Sequence, residues 1–297
     1  MKHTRRREFL KGMALAGATL GCPALLSGKD QGAAWQPKLA LSSVMFSGLS
    51  LADFCGQAAT LGFKGIDLWG PFGNCRHLAE AQELGAKSFQ KLLENSHLEL
   101  GAWTTYRTKV DRRGFPGFAE FIGACGGGVV VRESKYADVD KDRLEEALRG
   151  FFKELQPEIE LARKHKVRLA IENHGNAVLD TIESIEMFTK LNPAPDVVGI
   201  ALAPYHLQNR KMPVIDAIRA CGNQLLFFYA WQSADGAKQL PGHGPLDFAP
   251  WLHALEQQEY RHWMTPFMHG DLPVGDMAAA VGTAVRYLRG IKQSSMP

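Results

Sequence analysis

Residues 168–175 read Arg-Leu-Ala-Ile-Glu-Asn-His-Gly, a short apolar run that ends on three polar side chains. A run of that length, too short for a helix and closed by glycine, has the pattern of a buried strand. An amphipathic stretch of helical spacing precedes it at 142–165, and another follows at 182–191 before the next apolar run at 197–202. Working outward in both directions, the same alternation continues. Strand patterns fall at 39–45, 64–69, 99–104, 128–131, 168–172, 197–202, 225–231 and 262–267. Helical patterns fall at 51–61, 78–95, 117–125, 142–165, 182–191, 213–221, 248–257 and 277–291. Eight strands, each followed by a helix, predict an α/β fold: a single (β/α)8 barrel over 38–291, with a short tail at 292–297. A doubly wound sheet is the alternative, but no Gly-x-Gly-x-x-Gly opens the first strand-to-helix turn.

Ahead of the barrel, residues 5–11 read Arg-Arg-Arg-Glu-Phe-Leu-Lys and run into the apolar stretch 12–26. A charged segment followed by a short apolar one is the layout of a secretory leader. The paired arginines before Phe9-Leu10-Lys11 resemble a twin-arginine translocation signal. Residues 1–34 are therefore expected to direct export to the periplasm or cell envelope, with the twin-arginine translocase as a partner. Cleavage is placed after Gly32-Ala33-Ala34, and Cys22 offers a weaker lipid-anchoring alternative.

Apolar residues make up 45% of the 297 and charged ones 22%, ordinary values for a globular chain with a sizeable core. Of the formal charge of +3, +4 sits in the first 28 residues, which leaves −1 for the rest. A near-neutral barrel lacks the basic footprint of a nucleic-acid binder. Beyond the leader no apolar run approaches the roughly 20 residues that span a bilayer, so no transmembrane helix is expected. Five widely spaced cysteines do not form a disulfide framework. Cys55 and Cys125 lie in apolar helical patterns and read as core thiols.

In such a barrel the chemistry sits at the carboxyl ends of the strands. Four successive ends offer Glu172, His206, Gln232 and His269. Two imidazoles, a carboxylate and an amide oxygen form a mixed donor set suited to a divalent Mn, Fe, Co, Ni or Zn ion. Such an ion would polarise a sugar carbonyl and acidify the neighbouring C–H. Each residue alone is equally explained as a side chain that holds a loop. His174 and Glu133 are the candidates for moving a proton if Glu172 is a ligand. His77, Tyr106, Arg107, Arg132 and His243 are candidates for sugar hydroxyls, with His243 as readily a loop cap. Trp69, Trp103 and Trp231 would either stack on a pyranose ring or pack the rim.

Three segments carry a family resemblance: Leu-Gly-Phe-Lys-Gly-Ile-Asp-Leu-Trp at 61–69, Leu-Ala-Ile-Glu-Asn-His-Gly at 169–175 and Pro-Gly-His-Gly-Pro-Leu-Asp-Phe at 241–248. The chain resembles the sugar phosphate isomerase/epimerase, xylose isomerase-like superfamily from about 38 to 291. That family's usual metal set is Glu on strand five, Asp on six with a substrate-binding His three residues on, His on seven and Glu on eight. By position, Glu172 and His206 match. Ala203 stands at the Asp position, Tyr229 or Gln232 on strand seven, and His269 in place of the strand-eight Glu.

The resemblance implies a metal-dependent, isomerase/epimerase-type enzyme that enolises a sugar or keto-sugar. The ketose 3-epimerases of this fold use two carboxylates on opposite faces, of which only Glu172 remains. A 3-keto-glycoside lyase or hydratase is the first alternative. A non-catalytic exported sugar-binding barrel is the second. The acid Asp271 in His269-Gly270-Asp271 and the lack of a Gly-rich helix start after strands seven and eight point to an unphosphorylated substrate.

Overall fold

The computed structural model describes residues 35–105, 114–134 and 139–291. The leader with Cys22, the candidates Tyr106 and Arg107, and the tail lie outside the described residues. Strands β1 (Lys38–Ser42), β2 (Gly65–Trp69), β3 (Glu99–Thr104), β4 (Gly128–Glu133), β5 (Val167–Glu172), β6 (Val198–Leu202), β7 (Leu225–Ala230) and β8 (Trp263–Pro266) follow the expected pattern. They close in chain order into one parallel barrel, β8 pairing with β1.

Helices α1 (Leu51–Thr60), α2 (His77–Leu84), α3 (Ala86–Asn95), α4 (Gly114–Ala124), α5 (Leu144–Lys164), α6 (Ile182–Leu191), α7 (Pro204–Asn209), α8 (Val214–Cys221), α9 (Ala249–Gln257) and α10 (Val274–Gly290) surround it. Two differences from the sequence pattern stand out. The single helix expected at 78–95 breaks at Gly85, whose φ of 76° suits glycine and turns the chain between α2 and α3. The extra helix α7 starts at Pro204 immediately after β6, where a proline needs no N–H partner. No described helix is long and apolar enough to cross a membrane.

Strand alternation divides the side chains between two cores. Leu39, Leu41, Ile66, Leu68, Leu169, Ile171, Ile200 and Leu202 face the helices and join one large cluster. Fully burying each contributes about 1.5–3 kcal/mol. Trp103 joins this outer core beside Phe89, Phe118 and Phe121, so it packs helices and meets no ligand. Cys55 is buried among the same side chains, where desolvation pushes its thiol up to about 12; Cys125 is half-buried and pushed up to about 11. The described cysteines are all free.

Inside the barrel, Ala102, Ala170, Ala201 and Ala203 face the bulkier Trp69, Phe227, Tyr229 and Phe267. Large side chains from β2, β7 and β8 thus fill the interior against small ones from β3, β5 and β6. At the amino end of the barrel the Trp263 ring lies over Gly65, where a β-carbon would come within 2.6 Å of it. With that end filled, the carboxyl ends of the strands are left for a ligand.

Candidate active site

Strand parity decides which side chains reach the barrel mouth. On β4, Val131 faces inward and Arg132 outward, so Glu133 faces inward again. On β5, Ala170 and Glu172 face inward. Glu133 and Glu172 are direct register partners. The structure therefore sets two carboxylates on adjacent strands, on the same side of the barrel.

His206 joins them from α7. Asn173 holds that helix in place: its Oδ1 accepts from the Ala203 N–H at 2.6 Å and its Nδ2 donates to the Ala203 carbonyl at 3.2 Å. Fully buried and bonded to one residue at both ends, Asn173 locks β5 to the start of α7. This sets His206 Nε2 4.0 Å from Glu172 Oε1. The His174 ring lies 4.0 Å from that of His206, centroid to centroid, with its Nδ1 at 3.0 Å from the Gly175 carbonyl.

Burial first, then the neighbouring His174 and His269, drive the His206 pKa down to about 3. At 4.0 Å the Glu172 carboxylate is beyond hydrogen-bond range and does not offset this. His206 is thus a neutral imidazole at neutral pH, able to donate a hydrogen bond without carrying charge.

An aromatic wall faces this trio. Trp231 stacks on Tyr205 at 4.1 Å with planes 9° apart, and its edge meets Phe267 and His269. Gln239 fixes the wall: its Oε1 accepts from the Trp231 indole at 2.7 Å and from the His269 N–H at 3.1 Å, while its Nε2 donates to the His269 carbonyl. Below lies Asp67, fully buried, accepting from Trp69 Nε1 at 2.6 Å, Thr104 Oγ1 at 2.6 Å and Ser42 Oγ at 3.0 Å. Burial pushes its carboxyl up to about 6, against the lowering effect of those three donors. Asp67 holds the Trp69 ring, which in turn stacks on Phe267 at 5.4 Å.

Several expected contacts belong to the scaffold. The Gln232 amide is committed to its own loop, Oε1 accepting from Leu246 N–H and Nε2 donating to the Leu240 carbonyl. His77 is fully buried, stacked on Phe54, with Nε2 donating to the Leu49 carbonyl and Nδ1 against Cys75 Sγ. His243 Nε2 donates to the Ala280 carbonyl and ties its turn to α10. Arg132 points away from the mouth into an ion pair with Glu158 on α5. Trp231 is 1% exposed and forms wall, not platform.

The four expected metal ligands therefore do not meet. Glu172 and His206 face each other, Gln232 is turned into its loop, His269 stands exposed at the rim, and Ala203 offers only a methyl group. Among the described residues no three His, Cys, Asp or Glu side chains gather so as to hold an ion. As arranged, the donor set does not fit a metal. Asn173, Gln239 and Asp67 are the contributors that sequence reading missed, since each acts through bonds to distant chain segments.

The fold is shared with several solved structures, two of them named as sugar epimerases. A D-psicose 3-epimerase, solved with D-fructose, superposes with a TM-score of 0.65 at 17% identity, over 86% of this chain and 99% of that one. The 3-keto-D-glucoside 4-epimerase YcjR from E. coli gives 0.65 at 15% identity, over 86% and 100%. The IOLI protein, solved with a bound zinc atom, gives 0.65 at 15% identity, over 86% and 99%. No curated protein matches the chain in sequence. The family model described as xylose isomerase-like TIM barrel matches residues 55–291, and the chain belongs to that family.

Proposed function

We propose that this chain is a sugar-converting enzyme that enolises a sugar or keto-sugar, with Glu172 as the base. The observation that carries the reading is the meeting of buried Glu172 with His174 and the neutral His206 at the barrel mouth. Glu172 takes the proton from the carbon beside the carbonyl. The N–H of His206 donates to the carbonyl oxygen as negative charge develops there, which a neutral imidazole can do. His206 gives its N–H proton to that oxygen and takes up the proton of the adjacent hydroxyl, and Glu172 then delivers its proton to the former carbonyl carbon.

Glu172 and Glu133, the carboxylates at the mouth, come from adjacent strands; Tyr229 of β7 and Phe267 just after β8 lie inside across from them, and Asp67 below is bonded to Trp69, Thr104 and Ser42. That layout favours transfer on one face, as in aldose–ketose isomerisation, over epimerisation between two faces. The same one-sided layout also supports a keto-glycoside lyase, in which the enolised intermediate expels an oxygen leaving group protonated by His174 or Glu133. We further propose, from the leader alone, that the chain is exported. Arg6→Lys with Arg7→Lys is then expected to retain it in the cytoplasm on fractionation.

The test is turnover of a panel of aldoses, ketoses and 3-keto-glycosides. Glu172→Gln is expected to lower turnover by about 10²–10⁴-fold with the fold intact. Wild-type activity is expected to survive exhaustive chelation, because no step passes through an ion. Loss on chelation and recovery with Mn or Zn would show that the side chains regroup around a metal and would overturn this scheme. Absence of turnover across the panel, with sugars still binding, would leave a sugar-binding barrel.

A further inference from the structure

A cleft of about 380 Å³ opens at the barrel mouth between the loops that follow β1, β2 and β8, across from the Glu172 cluster. It falls within the size range of small-molecule sites. His269 lines it and also meets the Trp231 edge, so the cleft and the catalytic mouth share a wall. Phe72 stands at its rim, 36% exposed, the ring 5.9 Å from His269 and 5.6 Å from Trp69. A large aromatic held edge-on by one ring and tilted against another, yet open to solvent, is a preformed platform.

Around Phe72 the cleft presents Ser47, Asn74 and Asp271. Asn74 and Asp271 are exposed, and among the described residues their side chains have no hydrogen-bond partner. This differs from the other polar side chains of the mouth: Gln232, Gln239, Asn173 and Asp67 are all spent on the scaffold. A hydroxyl, an amide and a carboxylate beside an aromatic face form a donor and acceptor set for the vicinal hydroxyls and C–H face of a pyranose. The Asp271 carboxylate disfavours phosphate or another anion there.

We propose that this cleft is a subsite for a second, neutral sugar ring, so that the substrate is a glycoside of at least two units. The ring that reacts lies over Glu172 and His206, and its glycosidic partner rests on Phe72 with hydroxyls bonded to Asp271 and Asn74. The proposal rests on the reading of the mouth as a sugar site, and it adds the substrate's size and charge.

The test is binding, measured by calorimetry or saturation-transfer NMR, with glucose, cellobiose, maltose, lactose and trehalose, each also in its 3-keto form. At least one disaccharide is expected to bind tenfold or more tightly than its own monosaccharide. Phe72→Ala and Asp271→Ala are each expected to abolish that advantage and leave monosaccharide binding unchanged. Both residues are exposed, so the variants keep the fold, which circular dichroism checks. A ratio near one in the wild type, or one that both variants leave intact, overturns the subsite. Turnover of a keto-monosaccharide without a disaccharide preference would sink the subsite alone. A disaccharide preference without turnover would sink the enzymatic reading alone.

Discussion

Glu172 Oε1 and His206 Nε2 face each other at 4.0 Å across the carboxyl ends of β5 and β6, each almost wholly buried. The gap is too long for a direct hydrogen bond. Both lie at the mouth, where a carboxylate can accept a proton and a neutral imidazole can donate a hydrogen bond.

The first prediction concerns acid. His206 has a folded pKa of about 3, below the ordinary 6.5, so between those values the unfolded chain binds more protons. Stability therefore falls as pH is lowered from about 6.5 toward 3, and full stability is present above 6.5. His262, driven down to about 4 by burial and then by Arg168 and Lys38, acts in the same direction. Urea unfolding at pH 7 and 4.5 is expected to show a smaller drop for His206→Asn than for the wild type. An equal drop would mean that His206 is protonated in the folded state.

The second concerns the barrel floor. Asp67 has its folded pKa raised to about 6 from 3.8, so its contribution is present at low pH and is lost as pH rises from about 4 through 6. An amide keeps an acceptor for Trp69 and Ser42 and a donor for the Thr104 hydroxyl. Asp67→Asn is thus expected to gain in Tm relative to wild type as pH goes from 4 to 7.5. Asp67→Ala, which strands the Trp69 indole N–H, is expected to lose about 1–3 kcal/mol. A pH-independent difference between Asn and wild type would contradict the raised pKa.

The third separates scaffold from site. Arg132 pairs with Glu158 where both side chains are largely buried, 7% and 17% exposed. Removing one partner leaves the other as a buried charge, so Arg132→Ala is expected to destabilise by about 3 kcal/mol. With the ion pair turned away from the mouth, KM should not change at a temperature where the variant is folded. A rise in KM without loss of stability would return Arg132 to the substrate.

The sequence by itself determined the barrel. Apolar alternation records which residues are buried, and eight repeats of strand then helix admit few closures, so all eight strands were legible to within a few residues. It also marked Glu172, His174 and His206, because polar side chains at the end of an apolar strand stand where a barrel opens. Tertiary structure alone decided the roles. Arg132 and Glu133 are neighbours in sequence, but strand parity sends one to α5 and the other to the mouth. Gln232 and His77 look like ligands until hydrogen bonds 8 to 28 residues away claim them. Asn173 reads as filler until its amide meets Ala203, 30 residues on. The neutrality of His206 follows from burial and from neighbours on other strands, a property of three-dimensional surroundings that no local pattern encodes.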